Sequence, residues 1–258
     1  MLLAFDIGNT NVVVGCFQGD ELKAEFRLKT DTGRTVDEYA STLVTLMERN
    51  FGKDFVVSTA IISSVVPPLT PDFSRMVKQL FSIDALVVGP GIKTGIAIKI
   101  SEPTSVGADR IVNSVAVREL YGTPALVVDL GTATSFDYVN SHGEYEGGII
   151  APGVKTSLEA LVSKTAKLPR VELVWPKTVV GKGTVPAMQS GAVIGYQCLV
   201  DGLIGRIIDE VGPIPHIIAT GGLGRLFSEN SKIVKKYDPH LNLQGLRLIA
   251  RMNSADEK

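Results

Sequence analysis

The chain carries one arrangement twice, and this repeat restricts its fold more than any other feature. An apolar run at 2–5 leads into Asp6-Ile7-Gly8-Asn9-Thr10-Asn11, then Val12-Val13 and further apolar residues to Phe17, a turn at Gln18-Gly19-Asp20, and a strand-like run ending at Leu28. The same order returns with an apolar run at 125–128, Asp129-Leu130-Gly131-Thr132-Ala133-Thr134, a run to Val139, a turn at 140–143 and a run to Ile150. Each copy reads as strand, D-x-G turn, strand, turn, strand.

Helical patterns follow each copy. Thr35-Val36-Asp37-Glu38 is a capping box ahead of a face made by Tyr39, Ala40, Leu43, Val44 and Met47. Thr70-Pro71 opens a second helix, and a third runs from Ser105 or Val106 to Tyr121, stopping at Gly122 before Pro124. Later helices are expected over 155–164, 184–211 and 243–252, with strands at 60–66, 85–88 and 217–220. The pattern is an α/β protein of two similar halves, 1–122 and 123–258, without a low-complexity linker, expected to pack closely around a cleft.

Composition narrows the classes of function. A chain of 258 residues buries about three quarters of its unfolded surface and needs neither disulfide nor metal to hold a core. Its 26 Lys plus Arg nearly balance 27 Asp plus Glu, so there is no overall basic field to collect phosphate backbone, and generic nucleic-acid binding is disfavoured. The N-terminus shows neither a basic leader nor a long apolar run, and no stretch approaches eighteen uninterrupted apolar residues. The mean hydropathy of +0.22 therefore reads as a well-filled core, with no membrane partner expected. Cys16 and Cys198 lie far apart in apolar runs, as small core residues of a reducing cytoplasm would. His142, His216 and His240 are scattered, so a transition-metal site is not expected.

A D-x-G turn between strands has a specific use. Glycine lets backbone N–H groups approach an oxyanion, Asn and Thr add neutral donors, and the Asp offers a carboxylate to a magnesium ion or its water shell. Either copy alone also reads as an ordinary hairpin turn; two copies together favour a clamp on nucleotide phosphates. Neither Gly89-Pro90-Gly91-Ile92-Lys93-Thr94 nor Gly181-Lys182-Gly183-Thr184 is a P-loop. Thr220-Gly221-Gly222 follows an apolar strand, and it reads equally as a backbone rest for an adenosine ring and as a plain strand-to-helix turn. In Gly107-Ala108-Asp109-Arg110 the carboxylate sits in a first helical turn, where the dipole should keep it ionised and fit to accept a hydroxyl proton. Arg110 offers a fork for a carboxylate or phosphoryl group. On spacing alone, a helix-start charge and a solvated arginine explain this pair better.

Taken together, these segments, with Gly147-Gly148-Ile149-Ile150-Ala151-Pro152-Gly153, Leu168-Pro169-Arg170-Val171-Glu172-Leu173 and Met188-Gln189-Ser190-Gly191, resemble the type III pantothenate kinases along essentially the whole chain. That resemblance implies a duplicated ribonuclease-H-like fold of the actin and hexokinase superfamily, and ATP-dependent phosphorylation of pantothenate in the cytoplasm, the first step towards coenzyme A. It implies that Asp6 through Val13 bind ATP phosphates and magnesium, and that Thr132 contacts ATP. By the same resemblance Gly107 to Arg110 and Thr184 bind pantothenate, Asp109 is the general base, and Asp129 holds potassium or ammonium. Gly191, Gly195, Gly202 and Gly205 on the long helix would let another helix approach closely, either within the fold or across a dimer, and the resemblance implies a homodimer. The chain departs from the family pattern at Ser105, Leu130 and Gly183. The rival readings are another kinase or phosphatase of the superfamily, such as an acetate or sugar kinase or a polyphosphate hydrolase, and a non-catalytic accessory factor for transcription.

Overall fold

A computed structural model describes residues 1–254. They form two compact units, one of residues 1–120 together with the chain from His240 onward, the other Tyr121–Pro239.

In the first unit, β1 (Leu2–Ile7), β2 (Asn11–Gln18) and β3 (Glu21–Lys29) form an antiparallel meander, and β4 (Thr59–Ser64) and β5 (Leu86–Val87) extend it in parallel, in the order β3-β2-β1-β4-β5. The central strands are apolar almost throughout because helices cover both faces, whereas the edge strand β3 alternates with solvent. On one face, Phe5, Ile7 and Ile62 meet Tyr39 and Leu43 of α1 (Val36–Phe51) and Phe73 and Val77 of α2 (Leu69–Phe81). The capping box opens α1 as expected, with Thr35 and Glu38 exchanging hydrogen bonds.

The third helix, α3 (Ala108–Tyr121), starts later than the pattern suggested, after a short 3₁₀ turn at Pro103–Ser105. The last helix, α8 (Leu241–Ser254), packs on β1, β2 and β4, so the chain returns to the first unit, whereas the sequence reading keeps 123–258 together. The physical reason is side-chain fit: Leu243 lies over Gly15, and Gly245 lets α8 sit directly on the α3 backbone at Val112. Such contacts join distant segments and leave no local signal.

The second unit repeats the plan. β6 (Ala125–Leu130), β7 (Ala133–Val139) and β8 (Tyr145–Pro152) form the meander, and β9 (His216–Thr220) and β10 (Lys236–Tyr237) continue it in the order β10-β9-β6-β7-β8. Read from the other edge, this is the order of the first sheet, as the repeated sequence demands. The helices here are α4 (Val154–Ser163), α5 (Thr184–Ser190), α6 (Tyr196–Val211) and the short α7 (Gly224–Ser228).

A π-helical turn, Gly191–Gly195, joins α5 to α6. The whole run Thr184–Val211 is, among the described residues, long and apolar enough by length and composition to cross a membrane, yet only 28% of its most apolar 18-residue window is buried. A well-filled core therefore does not account for its hydropathy. Val193, Tyr196, Val200 and Ile204 face the core, while Gly191, Gly195, Cys198 and Gly202 recur at helical spacing on an exposed stripe. A Cβ placed at Gly191, Gly195, Gly202 or Gly205 would meet nothing within 4 Å.

Candidate active site

The two D-x-G turns have closely related geometry. In the first, the Gly8 N–H donates to Asn11 O (3.0 Å); in the second, the Gly131 N–H donates to Ala133 O (3.0 Å), one residue sooner. Asn9, Thr10 and Thr132 are exposed on these turns, while Ile7 and Val12 point into the core and present only backbone. Thr30 braces the first turn, its hydroxyl donating to Gly8 O (2.6 Å) and its N–H to Thr10 O (3.0 Å).

Within the first unit, the C-terminal end of β4 brings Asp6 and the Gly107–Arg110 segment to one edge. Asp6 is paired in register with Ser63, and the Val65 N–H donates to Ile7 O (3.0 Å). The Val65 side chain in turn borders Gly107, 3.6 Å from where a Cβ would stand. That same Cβ would stand 2.5 Å from Asp109 Oδ1, so the carboxylate fills the space glycine leaves. Asp109 Oδ1 accepts the Arg110 N–H (2.8 Å). Burial pushes the Asp109 carboxyl above the ordinary carboxylate range, against the opposing pull of the Arg110 N–H and guanidinium. Desolvation is the larger effect on this carboxyl, ahead of the hydrogen bonds and the Arg110 charge that favour its ionised form.

Within the second unit, Asp129, Thr132, Gly221 and Gly222 converge. Asp129 is paired with Thr220 across β6 and β9, and Gly221, at φ +83°, turns the chain so closely over Asp129 that a Cβ there would collide with Asp129 Oδ1 and Leu130. Leu223 N–H donates to Leu130 O (3.2 Å), and the Tyr237 hydroxyl donates to Gly221 O (3.2 Å). From the other side, Gly153 brings the start of α4 against the second turn. Its N–H donates to Thr132 O (3.1 Å), the Thr156 hydroxyl reaches the same oxygen (2.7 Å), and a Cβ on Gly153 would overlap the carbonyls of Gly131 and Thr132. The positive end of α4 thus adjoins Thr132. Thr30, Thr156 and Tyr237 brace these turns through contacts that a local sequence pattern does not contain. Beside them, Leu223, Lys155, Leu158, Glu159, Arg170 and Glu172 line a cavity of about 780 Å³.

Thr184 is the first residue of α5, and its N-cap is Gly183, in extended backbone. The departure at Gly183 is sterically neutral, since a Cβ there would come no nearer than 3.8 Å to Pro186, whereas Gly181 packs directly on the backbone of Pro186 and Ala187. Thr184 borders an apolar cavity of about 460 Å³ with Leu158, Leu161, Met188 and Tyr196. The Tyr196 hydroxyl lies 2.7 Å from Thr134 Oγ1 and donates to Pro152 O (2.8 Å), tying this groove to the start of α4. Leu130, another departure, is buried in the core of the unit.

The paired sheets and turns define an α/β protein of the actin-like ATPase and sugar-kinase fold. A protein named as a Baf family transcriptional activator from Campylobacter jejuni superposes with a TM-score of 0.60 at 20% identity, over 98% of this chain and 99% of that one. The activator of 2-hydroxyisocaproyl-CoA dehydratase from Clostridium difficile, solved with bound ADPNP, gives 0.52 at 10% identity, over 100% and 98%. Lmo2764 from Listeria monocytogenes, named as an N-acetylmannosamine kinase, gives 0.50 at 10% identity, over 98% and 99%. At these identities the likeness is one of fold. The family model for type III pantothenate kinase matches residues 2–206. The chain belongs to the type III pantothenate kinase family.

Proposed function

We propose that this protein transfers the γ-phosphoryl group of ATP to the primary hydroxyl of pantothenate, in the cytoplasm, as a homodimer that needs neither nucleic acid nor membrane. The observation that carries this reading is the family match over residues 2–206, which includes the Gly107–Asp109 pair, whose buried carboxyl is shaped for a proton acceptor. In the reaction the substrate oxygen attacks Pγ, the bond from Pγ to the bridging oxygen breaks with its electron pair left on ADP, and the hydroxyl proton passes to Asp109. In the first unit Arg110 and Ala108 hold pantothenate beside that carboxylate; the family resemblance also assigns Thr184, on its apolar groove in the second unit, to pantothenate. The backbone of the Asp6–Val13 turn and Thr132 hold phosphates, and the Gly221-Gly222 turn with its adjoining cavity takes the adenosine.

Magnesium at Asp6, through water, and potassium or ammonium at Asp129 supply charge neutralisation when bound. The donor chemistry fits such hard cations, which take carboxylate and backbone oxygens: Asp6 and Asp129 each lie on the strand that runs into a D-x-G turn. The exposed stripe of small residues on Thr184–Val211 supports the homodimer. A transcriptional role finds support only in the name of a 20%-identical structure, a likeness that extends to fold. The reading is tested by purified protein with ATP and a panel of pantothenate, acetate, sugars and polyphosphate; turnover confined to pantothenate supports it.

A further inference from the structure

We infer that Asn242 of α8 is a positioning residue for Asp109, acting through the first turns of α3; this rests on the assignment of Asp109 as the base. The Asn242 Nδ2 group donates to Asp109 O (3.4 Å) and to Asn113 Oδ1 (3.2 Å). One amide therefore grips both the residue that carries the carboxylate and the residue one helical turn beyond it. Its orientation is determined, because a flipped amide would set Oδ1 against two acceptors. In the orientation found, Oδ1 is buried with no hydrogen-bond partner, an arrangement unfavourable in itself that a plain packing residue would avoid.

Three residues along α8, Gly245 fixes the depth of the same contact. A Cβ there would overlap Val112 O and stand 2.7 Å from Val112 Cγ1. Asn113 is 1% exposed and the Ser114 hydroxyl donates to Arg110 O (2.8 Å), so the first turns of α3 have little freedom apart from α8. The carboxyl of Asp109 is confined on its other side by Gly107 and Val65. The Asn242 amide thus closes the backbone side of a cradle that Gly107 and Val65 bound on the other.

The test compares Asn242→Ala, Asn242→Ser and Asp109→Asn with the unaltered chain, with rates normalised to folded protein by circular dichroism. Displacing a reacting group by about 1 Å costs up to roughly 10²-fold, so Asn242→Ala should lose about 10- to 10²-fold in kcat with the KM for ATP unchanged. It should also move the acidic limb of the pH–rate profile, and Asn242→Ser, which keeps a hydroxyl donor, should recover part of the rate. Should Asn242→Ala not fold, Asn242→Ser is judged by the same kcat and pH criteria. An unaltered kcat and pH limb in the folded variant, with Asp109→Asn inactive, overturns the role of Asn242 and leaves the base assignment standing. If Asp109→Asn itself keeps the normal rate, the base assignment has failed first.

Discussion

The carboxylate of Asp109 stands where a side chain on Gly107 would have to go: a Cβ at 107 would lie 2.5 Å from Asp109 Oδ1, closer than real Cβ contacts come. Under the proposed assignment of Asp109 as the base, Gly107 shapes the catalytic geometry without offering any functional group of its own. Gly107→Ala should force the carboxylate out of its cradle and lower kcat by roughly 10²-fold, the order expected for a displaced reacting group, with the KM for ATP little changed. Steady-state kinetics check this, and a kcat within a factor of two of normal would contradict it.

Asp109 is expected to show its raised pKa in two ways. As a base it works ionised, so kcat/KM should fall as pH falls, with an inflection above the value of about 3.9 for a free aspartate. Stability has the opposite sign. With the folded value raised by burial, the contribution to stability is present below the unfolded pKa and lost as pH rises through the folded one. Asp109→Asn, neutral throughout, should thus lose about 10²–10⁴-fold in kcat while melting at pH 7 no lower than the unaltered chain. An active variant, or one inactive only through unfolding, would return Asp109 to a structural role.

The contact of Gly153 with the second turn is rigid on both sides, since the atoms a Cβ would meet are the carbonyls of Gly131 and Thr132. Gly153→Ala should destabilise the protein by about 1–3 kcal/mol through overpacking, a lowering of roughly 2–4 °C in Tm per kcal/mol for a protein of this size. It should also raise the KM for ATP. Calorimetry and kinetics read the two effects separately.

The small-residue stripe allows association to be tested without disturbing the core. Because a Cβ at Gly195 meets nothing within 4 Å and the residue is exposed, Gly195→Leu should fold normally and yet shift the protein from dimer towards monomer, as light scattering would show. A monomeric unaltered protein at micromolar concentration would count against the dimer.

At Asp129, replacing sodium by potassium or ammonium should raise the rate several-fold, and Asp129→Ala should abolish that response. Equal rates in sodium and potassium would remove the monovalent ion from the account.

Much of this was legible in the sequence because the information is local. The repeated D-x-G turns announced two sheets of the same order, Thr35 and Glu38 announced α1, and Gly107 and Asp109 stand two residues apart. What was hidden depends on residues distant in the chain. Neither the docking of α8 in the first unit through Gly245 and Val112 nor the bracing of the turns by Thr30 and Thr156 has a periodic signature. The place of Asp109 in a first helical turn was legible; the burial that raises its pKa was not. The run Thr184–Val211 misled for a related reason, since hydropathy does not distinguish a core face from an exposed one.

The most direct test of the central claim follows purified protein, ATP and pantothenate with magnesium and potassium by ³¹P NMR. The account predicts ADP and a new phosphomonoester resonance appearing in equal amounts, dependent on pantothenate and absent in Asp109→Asn. No pantothenate-dependent ADP, release of inorganic phosphate in place of the ester, or transfer to acetate or a sugar instead would contradict it.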